Sequence, residues 1–150
     1  MLAAGTGPTP RALWETALRC HQAHDIDGFA ALFAPDGAME LPFAVPGLPA
    51  RMTGPDEIHR ALAPVWRASR DSGRRAVRYA PLAVHTTYDP EVIVAELELH
   101  GEDAAGAGYR LRYVHVVHER NGRIALLRDY VDARAIAERI AAAATSSPTG

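Results

Sequence analysis

A chain of 150 residues, 48% hydrophobic and 23% charged, is long enough for one globular core and short for several. Its formal net charge of −2, with basic residues scattered except for Arg67, Arg70, Arg74, Arg75 and Arg78, argues against a nucleic-acid partner. A single cysteine, Cys20, excludes an intrachain disulfide framework, and no apolar run approaches the ~18 residues of a membrane span, so a soluble, cytoplasmic protein is expected.

Residues 1–8 and 144–150, rich in small residues, Gly, Pro and Ser, are expected to be frayed tails around a single domain over 9–143. Thr9 and Pro10 fit an N-cap and a first helical position, after which Leu13, Trp14, Ala17, Leu18 and His21 recur at helical spacing. Asp25 or Asp27 would cap a short second helix presenting Phe29, Leu32 and Phe33, ended by Pro35 and a turn at Asp36-Gly37. Met39 to Phe43 predicts an edge strand running into a loop stiffened by Pro42, Pro46 and Pro49. Pro55, Asp56 and Glu57 begin a third helix with Ile58, Leu62, Val65 and Trp66 on its buried stripe and a kink or break at Pro64.

From about residue 76 the apolar period changes to two. Strands are predicted over 77–88, 91–100, 109–120 and 123–132, separated by Asp89-Pro90, by "GEDAAGAG" and by Asn121-Gly122. Asn-Gly between alternating apolar residues marks a two-residue type I′ hairpin, because both central residues need positive φ. A closing helix comes next, with Asp132 as cap and Ala135, Ile136, Arg139 and Ile140 at helical spacing. Helices first and an antiparallel meander second predict an α+β domain whose curved sheet wraps the helices.

An unbulged Asn121-Gly122 hairpin sets Asp129 opposite Val114 and Leu127 opposite Val116. One face then carries Arg112, Val114, Val116, Ala125, Leu127, Asp129 and Val131; Tyr109, Leu111, Tyr113, His115, Arg128, Tyr130 and Asp132 take the other. A carboxylate among apolar neighbours loses hydration and becomes a better proton carrier near neutral pH. Asp129 fits that role with Arg112 as its cationic partner, and fits equally an ion pair on a half-exposed sheet or at a subunit interface. Glu96, Glu98 and His100 share one strand face, which suits solvent exposure, an acid/base set or half a metal site. The seven histidines show no HExxH or similar spacing, so no metal is expected, and His115 fits a structural histidine. No GxSxG elbow, phosphate loop or dinucleotide fingerprint occurs. "RRAVR" fits a solvated linker, and Trp14, Phe29, Phe33, Phe43 and Trp66 fit the core or the lining of an apolar pocket.

The order of elements, with "DIDGFAALFAPDGAMELPFAVPGLPARMTGPDEI", "TTYDPEVIVAELELHG" and "YVHVVHERNGRIALLRDYVDA", resembles the SnoaL-like branch of the nuclear transport factor 2-like superfamily over roughly residues 10 to 140. The resemblance implies a cone of helices capped by a strongly curved, mostly antiparallel sheet, usually dimeric, in a superfamily that includes ketosteroid isomerases, polyketide cyclases, limonene-type epoxide hydrolases and scytalone dehydratase. Within the branch, Arg128-Asp129-Tyr130-Val131-Asp132 resembles the end motif of the phenazine-biosynthesis A/B proteins. Asp129 then falls on their catalytic acid and Tyr109 on their active-site tyrosine, while Asp89-Pro90 and Glu96 echo a further segment. Their pocket histidine falls near Ala61, which departs from the pattern, with His59 one turn away as a substitute. The unbulged register sets Tyr109 and Asp129 on opposite faces, and a bulge would reconcile them.

Together with the buried acid, the resemblance implies a cofactor-free, metal-free enzyme of secondary metabolism that moves a proton on an apolar ligand by isomerisation, cyclisation, dehydration or condensation. Asp129 would carry the proton and Tyr109 or Arg112 would stabilise the developing oxyanion, with Arg112, Val114, Leu127, Phe43, Trp66 and His59 binding substrate. Two alternatives stay open: epoxide opening by Asp129, Glu96 and Arg112, and a non-catalytic ligand-binding or dimerisation module. The expected partners are an apolar small molecule and a second copy of the chain, without nucleic acid or membrane.

Overall fold

Local side-chain chemistry starts most of the elements. In the computed structural model, which describes residues 7–73 and 75–145, Thr9 Oγ1 accepts a hydrogen bond from the Ala12 N–H at 3.2 Å and opens α1 (Pro10–Gln22). Asp25 Oδ1 accepts from the Gly28 N–H at 2.8 Å and opens α2 (Ile26–Ala31). The expected tails lie largely outside the described residues, as does Arg74 of the arginine run.

From Leu32 the chain departs from expectation. It passes directly into β1 (Phe33–Glu40), so Pro35-Asp36-Gly37, expected as a turn, lies inside a strand. A register shift between Phe33 and Ala38 lets the proline sit in a bulge, where its missing N–H breaks no ladder bond. Gly37 is required there, since a Cβ would stand 2.5 Å from the Ile124 carbonyl oxygen. The strand is also interior, paired antiparallel with β2 (Arg51–Thr53) and parallel with β6 (Arg123–Val131). The edge position predicted for Met39 to Phe43 belongs to the short β2.

Gly54, at φ +80, precedes Pro55 and α3 (Pro55–Asp71), while Glu57 reaches back to accept from the Thr53 N–H at 2.9 Å. α3 continues unbroken through Pro64, which is exposed, so the carbonyl it leaves unpaired can meet water. The "RRAVR" segment, expected as a linker, instead enters β3 (Arg75–Thr86). β4 (Val92–Glu102) and β5 (Gly108–Arg120) complete a six-stranded sheet of order β2-β1-β6-β5-β4-β3, and α4 (Ala133–Thr145) comes last with Asp132 Oδ1 accepting from the Ala135 N–H at 3.0 Å. Among the described residues no helix is long and apolar enough to cross a membrane.

The β5–β6 hairpin turns as predicted, with Asn121 at φ 53 and Gly122 at φ 76. Its register does not hold. Glu119 pairs with Ile124, but His118 pairs with Leu126, so Ala125 is an extra residue in β6. Every later partner moves by one, and Asp129 faces His115 rather than Val114. The face assigned to Arg112, Val114 and Val116 is therefore the outer one.

The concave face packs on the helices through Trp14, Phe33, Met52, Ile58, Leu97, Val117 and Ile124, each almost wholly removed from water. Each such side chain contributes on the order of 1.5–3 kcal/mol by burial. The outer face is polar. Glu40 bridges Arg51 and Arg128 across β1, and the hydrogen bond from Arg128 holds its carboxyl below the usual range. Glu98 is flanked by His100 and Arg112 at 2.6 and 3.2 Å; burial pushes its carboxyl up, but these hydrogen bonds outweigh that and hold it low.

Candidate active site

Between the concave face and α1, α3 and α4 lies an apolar cavity of about 550 Å³ that is partly open to solvent. Inward positions of β5 and β6 bring Tyr113, His115, Leu127 and Asp129 to its wall. The bulge at Ala125 is what aligns them, since it gives Asp129 the same face as His115.

His115 Nε2 lies 3.3 Å from Asp129 Oδ1, within ion-pair reach. The ring N–H is not aimed along that line, and Oδ1 is fully buried with no hydrogen-bond partner among the described residues. On the other side of the imidazole, Trp14 Nε1–H donates to His115 Nδ1 at 3.0 Å. Indole nitrogen only donates, so Nδ1 is an acceptor and the proton of neutral His115 sits on Nε2, the ring nitrogen paired with Asp129 by distance alone. A helix residue thus fixes the tautomer of a sheet residue, and both side chains of the pair are at most one-sixth exposed.

A second polar group lies on the same wall. His21, at the end of the α1 stripe, is hydrogen-bonded through Nδ1 to the Tyr79 hydroxyl at 2.7 Å and packs edge-on against Trp66 at 4.8 Å. Burial lowers the His21 pKa to about 4, although the negative charge of Asp129 acts in the opposite direction. Burial also raises Tyr79 well above its ordinary range, with Tyr113 and Asp129 adding to the effect. Ring contacts run from His21 through Tyr79 and Tyr113 to His115, so an aromatic wall connects the two groups.

The expected site residues divide between the two faces. Asp129, Tyr109, Leu127 and Trp66 line the cavity. Tyr109 stands at the far end of β5 from His115, with the Arg139 guanidinium carbon 3.2 Å above its ring centroid. Glu96 points outward and pairs with exposed His85 at 2.7 Å, so it does not meet Asp129. Arg112 is bound to Glu98 on the outer face, and Val114 sits on that face too. Phe43 is 57% exposed and packs on Tyr130, while half-buried His59 pairs with exposed Asp27 at 2.9 Å. Alternation places Glu96, Arg112 and Val114 outside once the register moves by one.

The sequence alone marks His115 as structural and gives His21 and Tyr79 no role. A signal for His21 is present all the same: a histidine continuing the apolar stripe Trp14, Ala17, Leu18 on α1. Among the described residues no cluster of His, Cys, Asp and Glu is arranged to hold a metal.

The SnoaL-like domain family matches residues 14–127. An uncharacterised PhzA/B-like protein of Pseudomonas aeruginosa is 31% identical over 119 residues, covering 76% of this chain and 77% of that protein. Among solved structures, TerC co-crystallised with polyporic acid has a TM-score of 0.69 at 21% identity, covering 88% of this chain and 98% of its own. The Δ5-3-ketosteroid isomerase of a Mycobacterium species has a TM-score of 0.63 at 22% identity, covering 82% of this chain and 93% of its own. The cone of helices in a curved sheet, the cavity at its centre and a family match across most of the length agree: the chain belongs to the SnoaL-like branch of the nuclear transport factor 2-like superfamily.

Proposed function

We propose that the chain binds an apolar, largely aromatic small molecule in the cavity and moves a proton on it with Asp129. The observation that carries this reading is the Asp129 carboxylate on the wall of a cavity large enough for a ligand: its Oδ1 is buried beside His115 with no hydrogen-bond partner among the described residues, while the side chain as a whole stays 16% exposed. An oxygen left without a partner in such a place costs stability unless something else uses it. A ligand C–H or O–H meets the accessible part of the carboxylate, which lines the cavity.

In this mechanism the Asp129 carboxylate takes a proton from a carbon beside a carbonyl. The C–H electrons pass to the carbonyl oxygen, and the proton returns at another carbon or leaves with a hydroxyl. His115, held as the Nε2–H tautomer by Trp14, positions the carboxylate and offers it a weak donor while it is charged. Tyr79, whose phenol burial keeps protonated, supports the developing oxyanion in the His21 tautomer whose Nδ1–H donates to the phenol oxygen and leaves the phenol O–H free. The outward Glu96 and the Glu98-bound Arg112 remove two of the three groups that epoxide opening would need, so proton transfer is preferred. A homodimer, implied by the family, and a cytoplasmic location stay with this proposal.

The test is turnover of polycyclic and aromatic ketones, tracked by loss of the α-proton into deuterated water. Asp129→Asn should reduce exchange by roughly 10²- to 10⁴-fold with ligand affinity and unfolding midpoint little changed. Equal exchange by both proteins would overturn the role of Asp129, and no exchange by wild type above the uncatalysed rate would leave a binding module.

A further inference from the structure

The cavity has a cation that proton transfer at Asp129 does not use. α4 begins at the Asp132 cap directly after β6 and lays Ile136, Arg139 and Ile140 along the cavity. These are positions i, i+3 and i+4 of one helical face, so Arg139 occupies a place on an otherwise apolar stripe. Glu138, its neighbour in sequence, is committed to Arg134 at 2.9 Å. Arg139 joins no ion pair among the described residues; its contact is the face of Tyr109. Gly101, opposite Tyr109 on β4, makes room for that ring, because a Cβ there would come within 2.6 Å of it.

A guanidinium on an aromatic face keeps its edge N–H donors free, and those donors match a carboxylate in the plane of the group. An anion is excluded from the other end, where Asp129 would repel it. From 109 to 115 the backbone of β5 runs about 20 Å, at ~3.3 Å per residue, with aromatic rings in between.

We propose that the cavity is bipolar and that its ligand is an elongated, mostly aromatic carboxylate, whose anionic end is held by Arg139 over Tyr109 and whose reacting end lies at Asp129. This rests on the reading that the substrate occupies the cavity, and adds its chemical class and its direction. Arg139 is a specificity-determining residue in this arrangement.

The test compares 1-pyrenebutyrate with 1-pyrenebutanol, which share the ring system and differ in the charged end, by fluorescence anisotropy titration of the whole chain. Wild type should bind the acid at least roughly ten-fold more tightly than the alcohol, with the margin shrinking as salt is added. Arg139→Gln should lower acid affinity to that of the alcohol and leave the alcohol unchanged; Arg139→Lys should retain part of the preference. Equal affinity of the two probes for wild type, or a preference that survives Arg139→Gln, would overturn the assignment while leaving proton transfer at Asp129 standing. Failure of both probes to bind would overturn the ligand class.

Discussion

Of the carboxylate–histidine pairs on the sheet, two at the same level of it, Glu96 with His85 and Asp129 with His115, sit on opposite faces. Glu96 and His85 meet at 2.7 Å with side chains 49% and 54% exposed, whereas Asp129 and His115 stand 3.3 Å apart at 16% and 10%. The outer pair has the better distance and little consequence, because water screens both charges and hydrates whatever the partner leaves. The inner pair has the poorer distance and an oxygen that no described group satisfies. Chemistry therefore tracks the environment of a pair more than its geometry.

That contrast can be broken or sharpened at three further points. The largest effect is on acid stability. Between about pH 4 and 6.5 an unfolded chain protonates His21 and the folded chain does not, so folding stability is complete above 6.5 and falls as pH drops towards 4. The His21 contribution is roughly 3 kcal/mol, and urea unfolding across that window should lose this share in wild type but not in His21→Gln, which keeps a partner for Tyr79. A pH profile unchanged by the substitution would show that this wall of the cavity is wet.

Next is the indole contact. Trp14→Phe leaves His115 Nδ1 buried without its donor and should cost about 1–3 kcal/mol in urea unfolding. It also frees the proton to move to Nδ1, so proton exchange should fall as well. Loss of stability with full exchange would show that the tautomer is irrelevant to catalysis. The smallest effect is expected outside: Glu96→Gln should stay within roughly 0.5 kcal/mol and leave exchange unaltered. A large effect there would erase the distinction between the two faces.

The elements themselves are legible in the sequence because their signals are local: Thr9, Asp25 and Asp132 cap helices, Asn121-Gly122 turns a hairpin, and period two marks the strands. Register is not, because it depends on Ala125, whose bulge nothing in the neighbouring sequence announces. β1 escapes for a related reason. Pro35 and Gly37 look like a turn until a parallel partner, Ile124, supplies the context for a bulge. Asp129 stands out in the sequence as an acid on an apolar face, yet the face expected for it holds Arg112 and Val114, which lie outside. Its true neighbour is His115, whose own partner Trp14 is 101 positions away and meets it only in the folded chain. Arg139 is visible as one charge in the stripe of α4, but that no described acid pairs with it is not.

The chain has two tryptophans, Trp14 and Trp66, and both stand on the cavity wall. The first touches His115 through its ring nitrogen and the second lies edge-on to His21. All native indole emission therefore originates beside the space a ligand would fill. An arriving molecule announces itself in the unlabelled protein, and a compound collection can be screened by light before any reaction is known.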